Sequence, residues 1–129
     1  MSVSGLPPYD GANIFARILR GEIPCQKVAE SEHALAFRDI NPQAPVHVLV
    51  VPKGRFVSAA DFHAAATDAQ IAGFWRLVSA VAKAEGLEAR GYRLLTNMGE
   101  EGGQEVPHFH VHVFGGRRLG RMVPPAPGH

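Results

Sequence analysis

Apolar positions first fall into a helical rhythm over residues 13–20, where Ile14, Phe15, Ile18 and Leu19 share one face. Gly21 follows at a C-cap position and Pro24 enforces the exit, so a short helix is predicted there. Over residues 34–40 the pattern changes to alternation, with Leu35 and Phe37 set between smaller or polar neighbours, which predicts a strand. Asn41-Pro42-Gln43-Ala44-Pro45 reads as a turn. Residues 46–51, rich in β-branched side chains and stopped by Pro52, read as a second strand antiparallel to the first. Thr67-Asp68-Ala69-Gln70 has capping-box form and opens the longest helical run, with Ile71, Phe74, Trp75, Val78 and Val81 or Ala82 in register until Gly86 ends it. Residues 91–98 and 108–114 read as two more strands around the loop 99–107. Helices and strands do not alternate regularly, so the expected class is α+β with an antiparallel sheet. Residues 1–10, with two prolines and no periodicity, and the Pro-rich 120–129 read as flexible tails around one domain over 11–119.

Composition narrows the function classes. A chain of 129 residues with 46% hydrophobic and 19% charged positions is long and apolar enough to fold around one core, which excludes disorder as the overall state. Thirteen Lys and Arg against twelve Asp and Glu leave a charge of +1, so no electrostatic footprint for nucleic acid is present. No run approaches the roughly 18 apolar residues of a membrane span, and the first residues lack a basic and hydrophobic leader pattern, so a reducing cytoplasm is the expected location. Cys25 stands alone, which excludes an internal disulfide framework and a cysteine-based zinc site. The unusual feature is the number of histidines, seven.

Three of them form His108-Phe109-His110-Val111-His112-Val113-Phe114. On a strand the three imidazoles share one face, about 6.6–7 Å apart along the chain, and Phe109, Val111 and Val113 share the other as core. A solvated or core-satisfied row of histidines is the plainest interpretation. A metal site is a second: neighbouring histidines at i and i+2 can chelate zinc at about 2.0–2.1 Å, but the outer pair is too far apart on a flat strand and no other ligands are obvious. Phosphate chemistry is a third. Neutral imidazole is a nucleophile near pH 7, and a flanking His can donate to a departing group. The preceding loop supports this, since Gly99, Gly102 and Gly103 permit left-handed turns and close approach of backbone N–H groups to an anion.

The run 108–114 resembles the signature of the histidine-triad superfamily of nucleotide hydrolases and transferases. Ile14-Phe15, Gly21-Glu22-Ile23-Pro24, residues 36–45, Val51-Pro52-Lys53, Gly102-Gly103-Gln104 and Gly115-Gly116-Arg117 are similar to its Hint branch in order and spacing, over about residues 12–118. The resemblance implies a HIT-like fold: an antiparallel sheet of about five strands with one long helix and one short N-terminal helix, dimerised through the central helix and a strand. It implies His110 as the nucleophile, His112 at the phosphate and leaving group, and His108 and His47 in a supporting hydrogen-bond network. Asp39 would accept from the ribose hydroxyls; Phe15, Ile23, Phe37 and Ile40 would form the slot for a purine base; Asn97, Gly103, Gln104 and Glu105 would hold the α-phosphate. No metal or other cofactor is required by that chemistry. The implied reaction is cleavage of a nucleoside 5′-phosphoramidate or acyl-nucleotide through a nucleotidyl-histidine. A nucleotide-binding interaction protein and a dinucleoside polyphosphate hydrolase are the alternatives.

Structural interpretations compete at several of these positions. Asp39 before Asn41-Pro42 can initiate a turn, and Phe15, Ile23 and Phe37 can be core. Asn97 can be an ordinary strand-end residue. His33 and His63 are expected at the surface, His129 in the tail, and Arg117, Arg118 and Arg121 on a solvated exit. The chain also departs from the pattern. Glu105 stands where Ser or Thr is common, Arg55 where a His is common, and Val123-Pro124-Pro125 lacks the usual aromatic.

Overall fold

The computed structural model describes residues 3–127; His129 lies outside them. The elements are α1 (Ile14–Leu19), β1 (Lys27–Glu30), β2 (Ala34–Arg38), β3 (Val46–Pro52), α2 (Ala59–Ala65), α3 (Asp68–Ala84), β4 (Arg93–Leu95) and β5 (Val111–Gly115). The strands form one sheet in the order β1-β2-β3-β5-β4, every neighbouring pair antiparallel. Both anticipated helices begin on capping side chains, the Thr67–Gln70 box as expected and Asn13 as an N-cap that the pattern does not single out. Asn13 Oδ1 accepts from Ala16 N at 2.9 Å, and Thr67 and Gln70 cap each other reciprocally at 3.1 and 2.8 Å.

Strand periodicity of two gives the sheet two unlike faces. Ala34, Ala36, Val48, Val50, Val111 and Val113 point toward α3 and join Phe74, Val78, Val81 and Ala82 in the main core. Leu35, Phe37, Leu49 and Val51 point the other way and form a smaller cluster with Phe15 of α1. β2 is therefore buried on both faces, and its alanines, read as spacers between Leu35 and Phe37, are core in their own right. His47, His112 and Phe114 lie on this second face, away from the long helix.

Two elements escaped the sequence patterns. α2 buries one side chain, Phe62, so it shows no apolar stripe; its only signal was the Ser58–Asp61 capping box. β1 is a charged edge strand whose ends, Lys27 and Glu30, are exposed. Three strands are shorter than expected, β2 ending at Arg38. β4 covers only Arg93–Leu95, and β5 begins at Val111, so His108 and His110 precede the ladder. Alternation nevertheless continues upstream, because Phe109 is buried against Phe62 at 4.7 Å and Phe74 at 5.0 Å.

The N-terminal segment corrects the expected domain boundary. Residues 3–10, taken as a tail, lie against the domain: Val3 N–H donates to Gln104 O (3.1 Å), Gly5 O accepts from Ser58 Oγ (2.6 Å), and the Tyr9 hydroxyl meets His108 Nδ1 (2.6 Å). Gly5, at φ 78°, packs so closely that a Cβ there would fall 2.8 Å from Gly99 N. Polyproline-like sequence without periodicity hides such a segment, because its anchors are single residues. Beyond β5, Arg93 holds the Gly120 carbonyl at 2.6 Å, and residues 120–127 are exposed.

Candidate active site

Four of the predicted histidines gather on the sheet face opposite α3, in two linked pairs. His47 of β3 and His112 of β5 meet at 2.9 Å between Nε2 and Nδ1. The His110 ring lies beside His112, centroids 5.2 Å apart, and the edge of Phe15 closes on it at 4.9 Å. His108 sits deeper, fully buried, between Tyr9 and the carbonyl of Pro52. His47 was expected in the same network as His108; it instead serves His112, because antiparallel pairing sets it opposite Phe114, one pleat along from His112.

Backbone groups settle which nitrogen carries each proton, since a carbonyl only accepts and an amide N–H only donates. Pro52 O at 2.8 Å requires a proton on His108 Nε2, so Nδ1 accepts from the Tyr9 hydroxyl. His108 O at 2.7 Å requires a proton on His110 Nδ1, which leaves His110 Nε2 as a free lone pair. Gln43 N–H donates to His47 Nδ1 at 3.1 Å, so the neutral ring carries its proton on Nε2 and donates it to His112 Nδ1. Neutral His112 then carries its own proton on Nε2. The array presents a bare nitrogen on His110 beside an N–H on His112.

Burial favours this neutral state. Desolvation pushes His108 down to about 4, against the opposing pull of the Pro52 carbonyl. It pushes His112 to about 4 as well, reinforced by His110 and His47. His110 is lowered for the same reason, with the His108 carbonyl and the carboxylates of Asp39 and Glu105 working against it. His47 is also lowered by desolvation, opposed by Asp39.

The remaining expected residues divide. Asp39 forms the turn, its Oδ1 accepting from Asn41 N–H at 2.8 Å, and its Oδ2 stands 3.5 Å from His47 Nε2. Phe15 and Phe37 are core, and their rings meet edge to face at 5.6 Å beneath the histidines. Ile40 is 96% exposed at the rim, and Ile23 is half-buried. A cleft of about 570 Å³ opens between Pro24, Asp39, Ile40, Pro42, Pro45 and His47. Cys25, Gln26 and Arg38 also line it, none of them singled out by the sequence. A second cleft of about 490 Å³ at Arg90, Tyr92, Arg93 and Arg118 is lined by none of the histidines.

The glycine loop departs most from expectation. Gln104, assigned to the α-phosphate, is 1% exposed and committed to structure: Oε1 accepts from Gly99 N–H at 2.9 Å, and Nε2 donates to Val57 O and Val106 O at 2.7 and 3.1 Å. The amides of Gly103 and Gln104 close the loop's own turn onto Glu100 O and Gly99 O. Gly103 takes the left-handed φ of 75°, and a Cβ on Gly102 would meet Met98 O at 2.4 Å. Glu105 is exposed and Asn97 half-buried.

Asp39, His47 and His112 also bring three potential metal donors within 4.8 Å of one another, a different set from the His108–His110–His112 row weighed from sequence. Two of those donors are already joined by the His47–His112 hydrogen bond.

A five-stranded antiparallel sheet carrying a buried, neutral imidazole array beside an open cleft defines a histidine-based transferase or hydrolase type of site. The family model described as HIT domain matches residues 20–119, and the chain belongs to the HIT family. It is 64% identical over 115 residues to a 13.2 kDa HIT-like protein of Azospirillum brasilense, covering 89% of this chain and 94% of that one. It is 43% identical over 111 residues to the purine nucleoside phosphoramidase of Escherichia coli K12, covering 85% of this chain and 92% of that one. Among solved structures, a HIT family hydrolase from Clostridium thermocellum superposes with a TM-score of 0.78 at 35% identity, covering 88% and 97% of the two chains.

Proposed function

We propose that this chain is a nucleotide hydrolase that cleaves nucleoside 5′-phosphoramidates at the P–N bond, or acyl-nucleotides, through a covalent nucleotidyl-histidine. The observation that carries the reading is the hydrogen bond from His110 Nδ1 to His108 O, which leaves Nε2 unprotonated at the site. The similarity to the E. coli purine nucleoside phosphoramidase supports it.

Substrate binding brings an anionic phosphoryl group beside His112 and favours its protonated form. His110 Nε2 attacks phosphorus, the P–N bond breaks, and the proton on His112 Nε2 goes to the departing amine. The N-phosphoryl imidazolium so formed keeps its Nδ1–H on the His108 carbonyl, which disperses the new positive charge. Water then attacks phosphorus, His112 takes one of its protons, and the nucleoside monophosphate leaves with His110 restored. Splitting the displacement in two in this way is the strategy of nucleophilic catalysis. While His112 is neutral, His47 Nε2–H donates to its Nδ1 and orients that ring. Asp39 accepts from the ribose hydroxyls, and Ile23, Ile40, Phe15 and Phe37 form the apolar seat of a purine base. Each step is carried by the chain's own groups without a metal.

The protein acts as a homodimer in this reading. β4 is a sheet edge, and Tyr92 and Leu94 on and beside it are exposed large apolar side chains. The direct test of the chemistry is quenching in alkaline denaturant, where a nucleotidyl-histidine P–N bond survives, of a reaction with nucleotide-labelled adenosine 5′-phosphoramidate. Label stays on the wild-type protein and not on His110→Ala; undiminished turnover in that variant refutes the mechanism.

A further inference from the structure

His108 and His110 precede the β5 ladder, so backbone pairing with the sheet does not fix the carbonyl that orients the His110 ring. Three other anchors hold this segment. Phe109 N–H donates to Phe56 O at 2.8 Å, Thr96 Oγ1 donates to His110 O at 2.8 Å, and the His108 ring is clamped at both nitrogens. One jaw of the clamp is Pro52 O, a fixed part of β3. The other is the Tyr9 hydroxyl, ninety-nine residues away in sequence, and the rings of Tyr9 and His108 also meet edge to face at 5.5 Å.

We infer that Tyr9 is a positioning residue for the reaction: its O–H···Nδ1 bond fixes the His108 ring, and through the His108 carbonyl it holds the His110 nucleophile in attacking orientation. The inference rests on the assignment of His110 as nucleophile.

The surroundings of Tyr9 fit that role. Arg55 covers the outer face of its ring, with the guanidinium carbon 4.6 Å from the centroid. The segment bearing it is pinned upstream by the Val3–Gln104 and Ser58–Gly5 bonds, so the same residues that steady the glycine loop also steady Tyr9. Arg55 occupies a position where the resemblance leads one to expect histidine, and it supports His108 through Tyr9 rather than touching it. Tyr9 does not line the cleft beside Asp39, so its contribution falls on the chemical step and not on substrate capture.

The test is Tyr9→Phe, which keeps the ring and the Arg55 stack and removes only the hydroxyl. With adenosine 5′-phosphoramidate, kcat falls about tenfold, the amount that loss of one hydrogen bond of ordinary strength produces, while KM stays within about twofold. In 15N spectra the His108 Nδ1 resonance moves toward that of a ring nitrogen free of a hydrogen-bond donor. Arg55→Ala, which frees the outer face of the ring without touching the hydroxyl, gives a smaller kcat loss with the same direction of resonance shift, and it decides the matter should the Phe variant fail to fold. Wild-type kcat in Tyr9→Phe, or an unmoved His108 signal, overturns the inference. His110→Ala in the same assay separates the two ideas. Its inactivity beside a fully active Tyr9→Phe sinks only the role of Tyr9, whereas its activity sinks the nucleophile assignment beneath it.

Discussion

Acidification from pH 7.5 to 5 should destabilise this fold by an amount that His108 alone makes measurable. In the unfolded chain the ring protonates near the ordinary 6.5; in the folded protein it does so at about 4, because charging it means charging a fully buried group held between Tyr9 and Pro52. Above 6.5 both states are neutral and nothing is lost. As pH falls through 6.5 the unfolded chain binds a proton that the native one refuses, so stability falls with pH until about 4, where both are charged. At pH 5 the unfolded state is favoured by about 1.5 units, or about 2 kcal/mol, and at the lower end of the window by about 3 kcal/mol. His112 acts in the same direction but is partly open to solvent, so it adds less. Against a total of about 5–15 kcal/mol for a typical domain this is a large fraction. The ion pairs act in another window. Glu30, drawn down to about 2 by Lys53 and Lys27, loses its contribution only below the usual glutamate range. Urea unfolding at the two pH values, read as the midpoint, should fall by about 1 M for a slope of about 2 kcal/mol per molar. Equal midpoints, or a folded-state His108 ring that titrates near 6.5, would refute the reasoning.

Three further outcomes follow from packing and chemistry. Phe109→Ala, which empties a fully buried site between Phe62 and Phe74 directly beside His110 in the chain, should cost about 3–5 kcal/mol in thermal or urea unfolding. Gly102→Ala must displace the loop, because its Cβ would fall 2.4 Å from Met98 O; turnover should drop at least about tenfold, as small misplacements do at reacting centres, while the far-UV spectrum is unchanged. Dialysis against EDTA should leave turnover of adenosine 5′-phosphoramidate intact, and a loss restored by added zinc, with zinc binding absent from His47→Ala, would point to Asp39, His47 and His112 as metal ligands instead.

Periodic burial made much of the architecture legible. α1, α3, β2 and β3 carry long apolar patterns closed by Asn13, Thr67, Pro52 and the turn before Val46, and these elements appear with boundaries within a residue or two. Where burial is thin, pattern is silent: α2 hides one Phe, and β1 is a solvated edge. The alternation that placed His108, His110 and His112 on one side was sound, but alternation reports which face a side chain takes and not whether its backbone is paired. The ladder therefore began three residues later than expected. Gln104 was misread for a related reason. A glycine-rich loop tells that the backbone turns tightly, while the identity of the group holding it together depends on Val57 and Val106, remote contacts without a local signal.

The site's protonation pattern comes from β-sheet geometry more than from the histidines themselves. An imidazole chooses between two neutral tautomers that are close in energy in water, and a row of four could in principle adopt many combinations. Here each chain of choices starts from a backbone group with no choice: Pro52 O, His108 O and Gln43 N–H. Those groups are presented by β3, by the turn leading into it, and by the segment entering β5. Pairing of His47 with Phe114 and of Leu49 with His112 holds the last two in register. A slip of one residue between β3 and β5 would send His47 to the α3 face and leave His112 without its donor. The same slip would turn Val48 and Val50 away from α3, so the register that gives His112 its donor is enforced by the main core itself.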